Sequence, residues 1–353
     1  MPTVTKSIGT SSRDYSTVTL WEADLDNTTP YDAGDDAVGE MYNDSNFDES
    51  VTINGGGTIG LNSVTLSVNS ASRHTGVAGT GARFVCSTAR TLTLAVPSGF
   101  GTKYTMEWFE FNANSQDGFL STAGSNFGDP GILRNAIIHH ASGGNSFDGM
   151  LQAQTRDIRV MNCIFYRLTR NTSSDCRMVN IDSDQANGGV FNTTVYFVSN
   201  SSGKAVCIDD NSNDANGKYK NNIAMGAAGT TSFDFEFSGT NPDSDYNMSS
   251  DATADDAGGT SNLLSKTASS QFVSIVDGSE DFHLKAGSDA IDTGVDLVTT
   301  PTNVNIDIDG RDRDAQADVW DIGADELVSA TPSLSNWFQQ AFPVRARPEI
   351  VTV

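Results

Sequence analysis

Four segments of this chain repeat one theme at a nearly constant interval: residues 132–138 (ILRNAII), 158–166 (IRVMNCIFY), 190–197 (VFNTTVYF) and 219–225 (YKNNIAM). Their shared asparagines, Asn135, Asn162, Asn192 and Asn221, are 27, 30 and 29 residues apart, one supersecondary unit per repeat. A second theme precedes the later two: Val179-Asn180-Ile181-Asp182 with Asn187-Gly188, then Val206-Cys207-Ile208-Asp209 with Asn216-Gly217. Each unit therefore holds at least two short strands separated by turn residues. Period-two alternation points Val179, Ile181, Val206 and Ile208 inward and Asn180, Asp182, Cys207 and Asp209 outward. An asparagine recurring beside a strand suits a ladder at a coil corner, because its amide can bond its counterpart one rung away while its backbone tolerates left-handed φ. No helix-period stripe runs through this region, and the units are too short for a βαβ fold. The expected fold is all-β: a single-stranded right-handed parallel β-helix, a solenoid of on the order of nine coils at about 4.8 Å per rung.

The two ends differ from this body. Residues 14–25 carry apolar side chains at Val18, Trp21 and Leu25 behind a cap at Ser16, so a short helix is expected over the N-terminal mouth. The first coil then begins at Val38. This divides the chain into an N-terminal arm with a capping helix (1–37), the β-helix with its C-terminal cap (38–326) and a C-terminal extension (327–353). The extension holds Trp337, Phe338, Phe342, Arg345 and Arg347 beyond an already complete cap, so these residues are expected to dock on another surface in assembly.

Composition limits the partners. A net charge of −24 argues against nucleic acid, whose phosphates require clustered Lys and Arg. No stretch approaches the roughly 20 apolar residues of a membrane span, so no membrane insertion is expected. The first residues, Met1 to Lys6, form no hydrophobic signal region. Cys86, Cys163, Cys176 and Cys207 show no CxxC spacing and are expected as free thiols of a chain made in a reducing cytosol, Cys163 in the bore and Cys207 outside.

The region near the end carries a further pattern: residues 281–294 (DFHLKAGSDAIDTG), 307–313 (DIDGRDR) and 321–326 (DIGADE). Block for block it resembles the terminal signature of right-handed parallel β-helix proteins, a family that includes pectate-lyase-like enzymes, secreted adhesin-like modules and phage structural proteins. The last rung of such a stack has unpaired backbone groups and an open bore. The resemblance implies that Phe282, Leu284, Ala290, Ile291, Ile322 and Ala324 plug the bore. Ser288, Asp292, Asp307, Asp309, Arg313 and Asp321 would form an internal capping network. Residues 6–16, 39–44 and 73–76 also look like a group of β-helix proteins common in phage. Together these resemblances imply a non-enzymatic phage virion structural protein, a capsid decoration or cement protein or a tail or spike component. It would be assembled in the host cytoplasm, partnered by the major capsid protein or tail proteins, homotrimeric, and able to touch a host-surface glycan. The alternatives are a polysaccharide lyase or depolymerase, or a secreted or surface-bound bacterial adhesin.

The enzymatic alternative rests on Asp182, Asp184, Asp209 and Asp210, which come from consecutive repeats and could form a carboxylate row for glycoside hydrolysis or a calcium site. The Gly-His-Gly and Arg-x-Lys of pectin-hydrolase-like families do not occur, and the nearby basic clusters, Arg156/Arg159 and Arg167/Arg170, sit on an earlier repeat. His139-His140 is expected as a packed or turn-facing pair at a strand end. The sequence therefore assigns no catalytic residue and no cofactor, with calcium at the Asp row as the one ion it suggests.

Overall fold

A computed structural model of the protein describes residues 2–95, 103–123, 131–142, 149–153, 158–181, 188–211, 217–237, 243–298, 301–315 and 319–327. Asp182, Asp184 and Arg156, and the tail residues Trp337, Phe338, Phe342, Arg345 and Arg347, lie outside the described residues.

The chain folds as a parallel β-solenoid. One face is a nine-stranded sheet that starts with Thr3–Ile8 and Asp36–Met41 and ends with Lys218–Lys220 and Asp243–Asp245. The remaining coil strands form a 13-stranded sheet with two arms. These arms are joined by Thr194–Asp210, whose first part pairs with Ile164–Arg170 and whose last part pairs with Cys176–Ile181. Period-two strands in parallel register stack like on like, and this stacking builds the core. One buried column runs Gly39, Leu66, Met106, Leu133, Val160, Val190 and Tyr219. Another runs Phe47, Phe84, Phe111, Ile138, Phe165, Val195 and Ala224. Each fully buried large side chain contributes about 1.5–3 kcal/mol.

The first rung lies earlier than the sequence suggests. Thr3–Ile8 pairs along its whole length with Asp36–Met41, so the solenoid starts there and not at Val38. This strand has only one neighbour and stays partly exposed, which lets it carry polar residues that hide its alternation. Between these two strands, helix α1 (Val18–Ala23) begins at Thr17, whose hydroxyl accepts the Leu20 N–H at 3.2 Å, one residue past the expected cap. Trp21 enters the core where Gly39 has no side chain; a Cβ at Gly39 would come within 2.6 Å of the indole.

Asn135, Asn162, Asn192 and Asn221 are buried and take left-handed φ of 49°, 52°, 46° and 59°. Only Asn221 bonds its counterpart, donating to Asn192 Oδ1 at 3.0 Å. The rung-to-rung ladder sits one residue later, where Asn222 Oδ1 accepts the Thr193 N–H and Asn247 Oδ1 accepts the Asn222 N–H. A second left-handed column, His140, Arg167, Phe197 and Gly226, repeats the same intervals on the next face with φ of 56°, 58°, 62° and 85°. Parallel pairing skips this column on each rung without changing the register.

Two further expectations are corrected. Cys207 lies inside: together with Met150 and Met178 it occupies a column that the pairing skips, and the strand bends there so that all three join the core. Burial pushes its thiol well above the usual range, and all four cysteines are free and buried. The C-terminal block does not plug the bore. Phe282, Leu284, Ala290, Ile322 and Ala324, with Ile291 partly buried beside them, pack on Ile137, Ile164, Tyr166, Ile223 and Met225, which point out of the solenoid. Those outward residues are apolar, so covering them is worth more than covering one open end. The last rung is closed instead by a short local segment. The Asp234 N–H donates to Asp251 Oδ2 at 3.0 Å, the Phe235 N–H to Thr253 Oγ1 at 2.9 Å, and Ala254 enters the core.

These placements give a stability ranking, checked by thermal or urea melting. Ile208→Asp places an unpaired charge in the core and is expected to cost on the order of 3–5 kcal/mol. Asn192→Ala removes a buried donor and acceptor, at about 1–3 kcal/mol. Asn180→Asp, silent if Asn180 pointed to water, is expected to destabilise as well, because Asn180 is buried directly opposite Asp209. Equal tolerance at Ile208 and at an exposed strand position would refute the register.

Candidate functional site

The C-terminal block lies lengthwise along the solenoid, and the corner asparagines hold it there. Asn135 Nδ2 donates to the Asp307 and Ile306 carbonyls, Asn162 and Asn192 both donate to the Val304 carbonyl, and Asn221 exchanges two bonds with the Val295 backbone. Backbone carbonyls need donors once buried, and the left-handed corner aims four amides at them.

Inside the block, Arg313 is fully buried. Its Nη1 donates to Glu326 Oε2 at 2.7 Å and its Nη2 to the Gly323 carbonyl at 2.8 Å. Asp321 accepts the Asp292 and Leu327 N–H groups, and Asp307 accepts those of Asp309, Arg311 and Glu326. Ser288 donates to Gln271 Oε1 at 2.7 Å. The structure thus brings Ser288, Asp292, Asp307, Asp309, Arg313 and Asp321 into one block, where they hold its own turns. Burial pushes the Asp307 and Asp321 carboxyls up to about 6 and that of Glu326 up to about 7.

The hairpin of Phe272–Ser274 and Asp281–Leu284 separates two clefts between block and solenoid. The larger, about 850 Å³, is walled by Arg73, Trp108, His283, Asp309, Arg311 and Asp325. The Arg73 guanidinium lies 4.3 Å over the Trp108 ring. His283 donates from both ring nitrogens, Nδ1 to Asp281 Oδ1 at 2.5 Å and Nε2 to Asp309 Oδ1 at 3.0 Å, which requires the imidazolium. The hydrogen bond to Asp309 raises its pKa against the effect of burial, with Asp325 and Asp281 adding, to about 9. Burial alone would raise Asp309, but His283 and Arg311 outweigh it and hold that carboxyl below the usual range. Asp325 is raised by burial; its Oδ2 accepts the Leu284 N–H at 2.8 Å, and its Oδ1 has no hydrogen-bond partner.

The smaller cleft, about 450 Å³, is floored by Glu110, His139, His140 and Tyr166. His139 is buried; its Nε2 lies 2.9 Å from Glu110 Oε1, its Nδ1 lies 2.6 Å from His140 Nδ1, and its ring stacks on Tyr166 at 4.8 Å. The left-handed backbone turns His140 and Arg167 outward, toward Asp277 and Glu280 of the hairpin turn. Burial and the neighbouring His139 hold the His140 pKa below the usual value, against the pull of Glu280 and Asp277.

The acidic row takes a different form from the outward row of carboxylates that the alternation suggests. Asp209 is buried 2.5 Å from Arg177 Nε, and burial pushes its carboxyl up to about 7. Asp210 is buried in the register of Ile181 and Phe237, so consecutive side chains point apart and do not share one face. Sequence reasoning missed the clefts because the block's lengthwise path creates them. The signals it left were the alternation of Asp281 and His283 against Phe282 and Leu284, and the shared spacing of His140, Arg167 and Gly226 with the asparagines.

Comparison with known proteins adds no relative: no family model, no curated protein and no solved structure matches the chain.

Because His283 has a folded-state pKa of about 9, above the ordinary imidazole value of about 6.5, its contribution is complete below pH about 6.5 and lost as the pH rises through about 9. The melting temperature is expected to fall over that window, and His283→Gln to be less stable at pH 6 and flatter across the window. An unchanged slope in the variant would remove the imidazolium from its assigned role.

Proposed function

We propose that this chain is a rigid, non-enzymatic structural rod of a phage particle, a capsid decoration or tail-associated solenoid that displays its flank to partners. The observation that carries the reading is how the block's polar groups are used: Arg313, Glu326, Asp321, Asp307 and His283 are each bound to partners that fix the block's own shape, and the corner asparagines hold that block on the solenoid. Such fastening suits a mechanical part. The resemblance of residues 281–326 to parallel β-helix proteins, phage structural proteins among them, and of residues 6–16, 39–44 and 73–76 to β-helix proteins common in phage and environmental sequences supplies the setting, with capsid or tail proteins as partners and a trimer as the closed assembly. Residues 328–353, with Trp337, Phe338, Phe342, Arg345 and Arg347, are the proposed docking segment.

A carbohydrate-active enzyme is the second reading, and the larger cleft favours it. Asp325 is held protonated more readily than usual and Asp309 less readily, with carboxylate oxygens within 4.8 Å of each other. Environments that push two carboxyls apart are what acid and base roles need. A host-surface glycan in the same cleft, bound without turnover, fits the first reading.

Immunogold labelling of purified particles is expected to show the protein in a regular array, and deletion of residues 328–353 to abolish that array while leaving the melting temperature within a few degrees. Turnover of a polysaccharide by the purified protein, lost in Asp325→Asn, would replace the structural reading with the enzymatic one.

A further inference from the structure

In a chain with 45 Asp and Glu against 21 Lys and Arg, a guanidinium without an acidic partner is unexpected, and the larger cleft holds one. Arg73 is fixed by two contacts: its Nε donates to the Val68 carbonyl at 3.3 Å, and its guanidinium lies 4.3 Å over the Trp108 ring. Among the described residues, no carboxylate lies within 4.0 Å of this guanidinium, and neither Nη donates a hydrogen bond. Burial lowers its pKa against the pull of Glu107 and Glu40. A guanidinium held on an aromatic face with both Nη groups unused is a fork for a carboxylate, which it takes in two parallel hydrogen bonds.

The same cleft holds a second unmet group. Asp325 is 2% exposed; its Oδ2 accepts the Leu284 N–H, whereas its Oδ1 has no hydrogen-bond partner. Arg311 Nη1 stands 4.0 Å from that oxygen, beyond hydrogen-bond reach, and 2.8 Å from Asp309 Oδ2. A hydroxyl placed about 2.8 Å from each would bridge the gap, since it donates to a carboxylate and accepts from a guanidinium at once. Asp281, Asp309 and Asp325 also stand on the walls, so the cleft accommodates one added negative charge at Arg73 and opposes a row of them.

We propose that the larger cleft binds a sugar carrying one carboxylate on an otherwise neutral glycan, with the carboxylate on the two Nη groups of Arg73 and a hydroxyl between Asp325 Oδ1 and Arg311 Nη1. The proposal rests on the glycan reading of this cleft given above and adds the chemistry of the sugar. A cleft of about 850 Å³ has the size of a small-ligand site. Charge disfavours a polyuronate: three wall carboxylates and a net charge of −24 repel every carboxylate beyond the first. The free carboxylate of a peptide would fill the Arg73 fork, but its backbone brings no hydroxyl to the second position.

The test is calorimetric titration of the full chain with sialyllactose and with glucuronosyl-galactose, each against its neutral parent, lactose or galactose. Each acidic sugar is expected to bind at least about 10-fold more tightly than its parent. Arg73→Gln is expected to erase that difference. Arg311→Gln, at a half-exposed side chain, is expected to weaken acid and parent alike by about 5–10-fold. Both variants are expected to melt within a few degrees of the unaltered chain. Equal affinity for acid and parent, or an acid preference that survives Arg73→Gln, would overturn the proposal and leave the glycan reading standing. So would hexagalacturonate, or a pentapeptide with a free C-terminal carboxylate, binding as tightly as the acidic sugars. Binding of none of these sugars would overturn both.

Discussion

The left-handed asparagine at the coil corner is the constraint on which the rest of the molecule depends. Each turn of the solenoid must leave one sheet and enter the next within a residue or two, and a positive φ makes that corner tight. Asparagine tolerates this conformation and brings an amide with it. Inside the rod the amide has little to bond, because the neighbouring column already carries the ladder through Thr193, Asn222 and Asn247. Pointing outward, it meets the backbone of Val295, Val304 and Asp307. One residue type thus sets the corner and the path of the C-terminal block.

That path changes how the ends of the solenoid are managed. A parallel stack has two open edges, and the large C-terminal block covers neither. At one end Trp21 fills the space left by Gly39, and at the other Asp251 and Thr253 stand in for a missing strand by accepting its amides. Local segments are enough there because each edge exposes only a few backbone groups. The block instead covers a long apolar flank, where the area removed from water is greater.

Charges inside the block follow from the same placement. Lying flat on the flank buries Arg313, Asp307, Asp321 and Glu326, and each buried charge requires partners within the block itself. At the rim, where the hairpin meets the left-handed column, ionisable groups of block and solenoid face one another. Both clefts lie on that rim, with His283 between Asp281 and Asp309 on one side and His140 facing Asp277 and Glu280 on the other.

The sequence by itself determined the repeat length, the inward columns and the parallel stacking, because these depend on period-two alternation and on asparagine's tolerance of left-handed φ. Val179, Ile181 and Ile208 point where alternation puts them. It also marked the block's polar residues as one group, since Asp, Ser and Arg interleaved with small apolar residues must satisfy each other when buried. Tertiary structure alone decided that the block runs along the rod. An apolar Ile137 or Ile164 looks the same in sequence whether it faces the core or a strap laid over it from some 170 residues away. The inward turn of Cys207, the burial of Asp209 and the meeting of His140 with Asp277 follow from residues that the pairing skips and from long-range packing. A left-handed residue shifts the alternation by one without needing a glycine to announce it, as His140, Arg167 and Phe197 show.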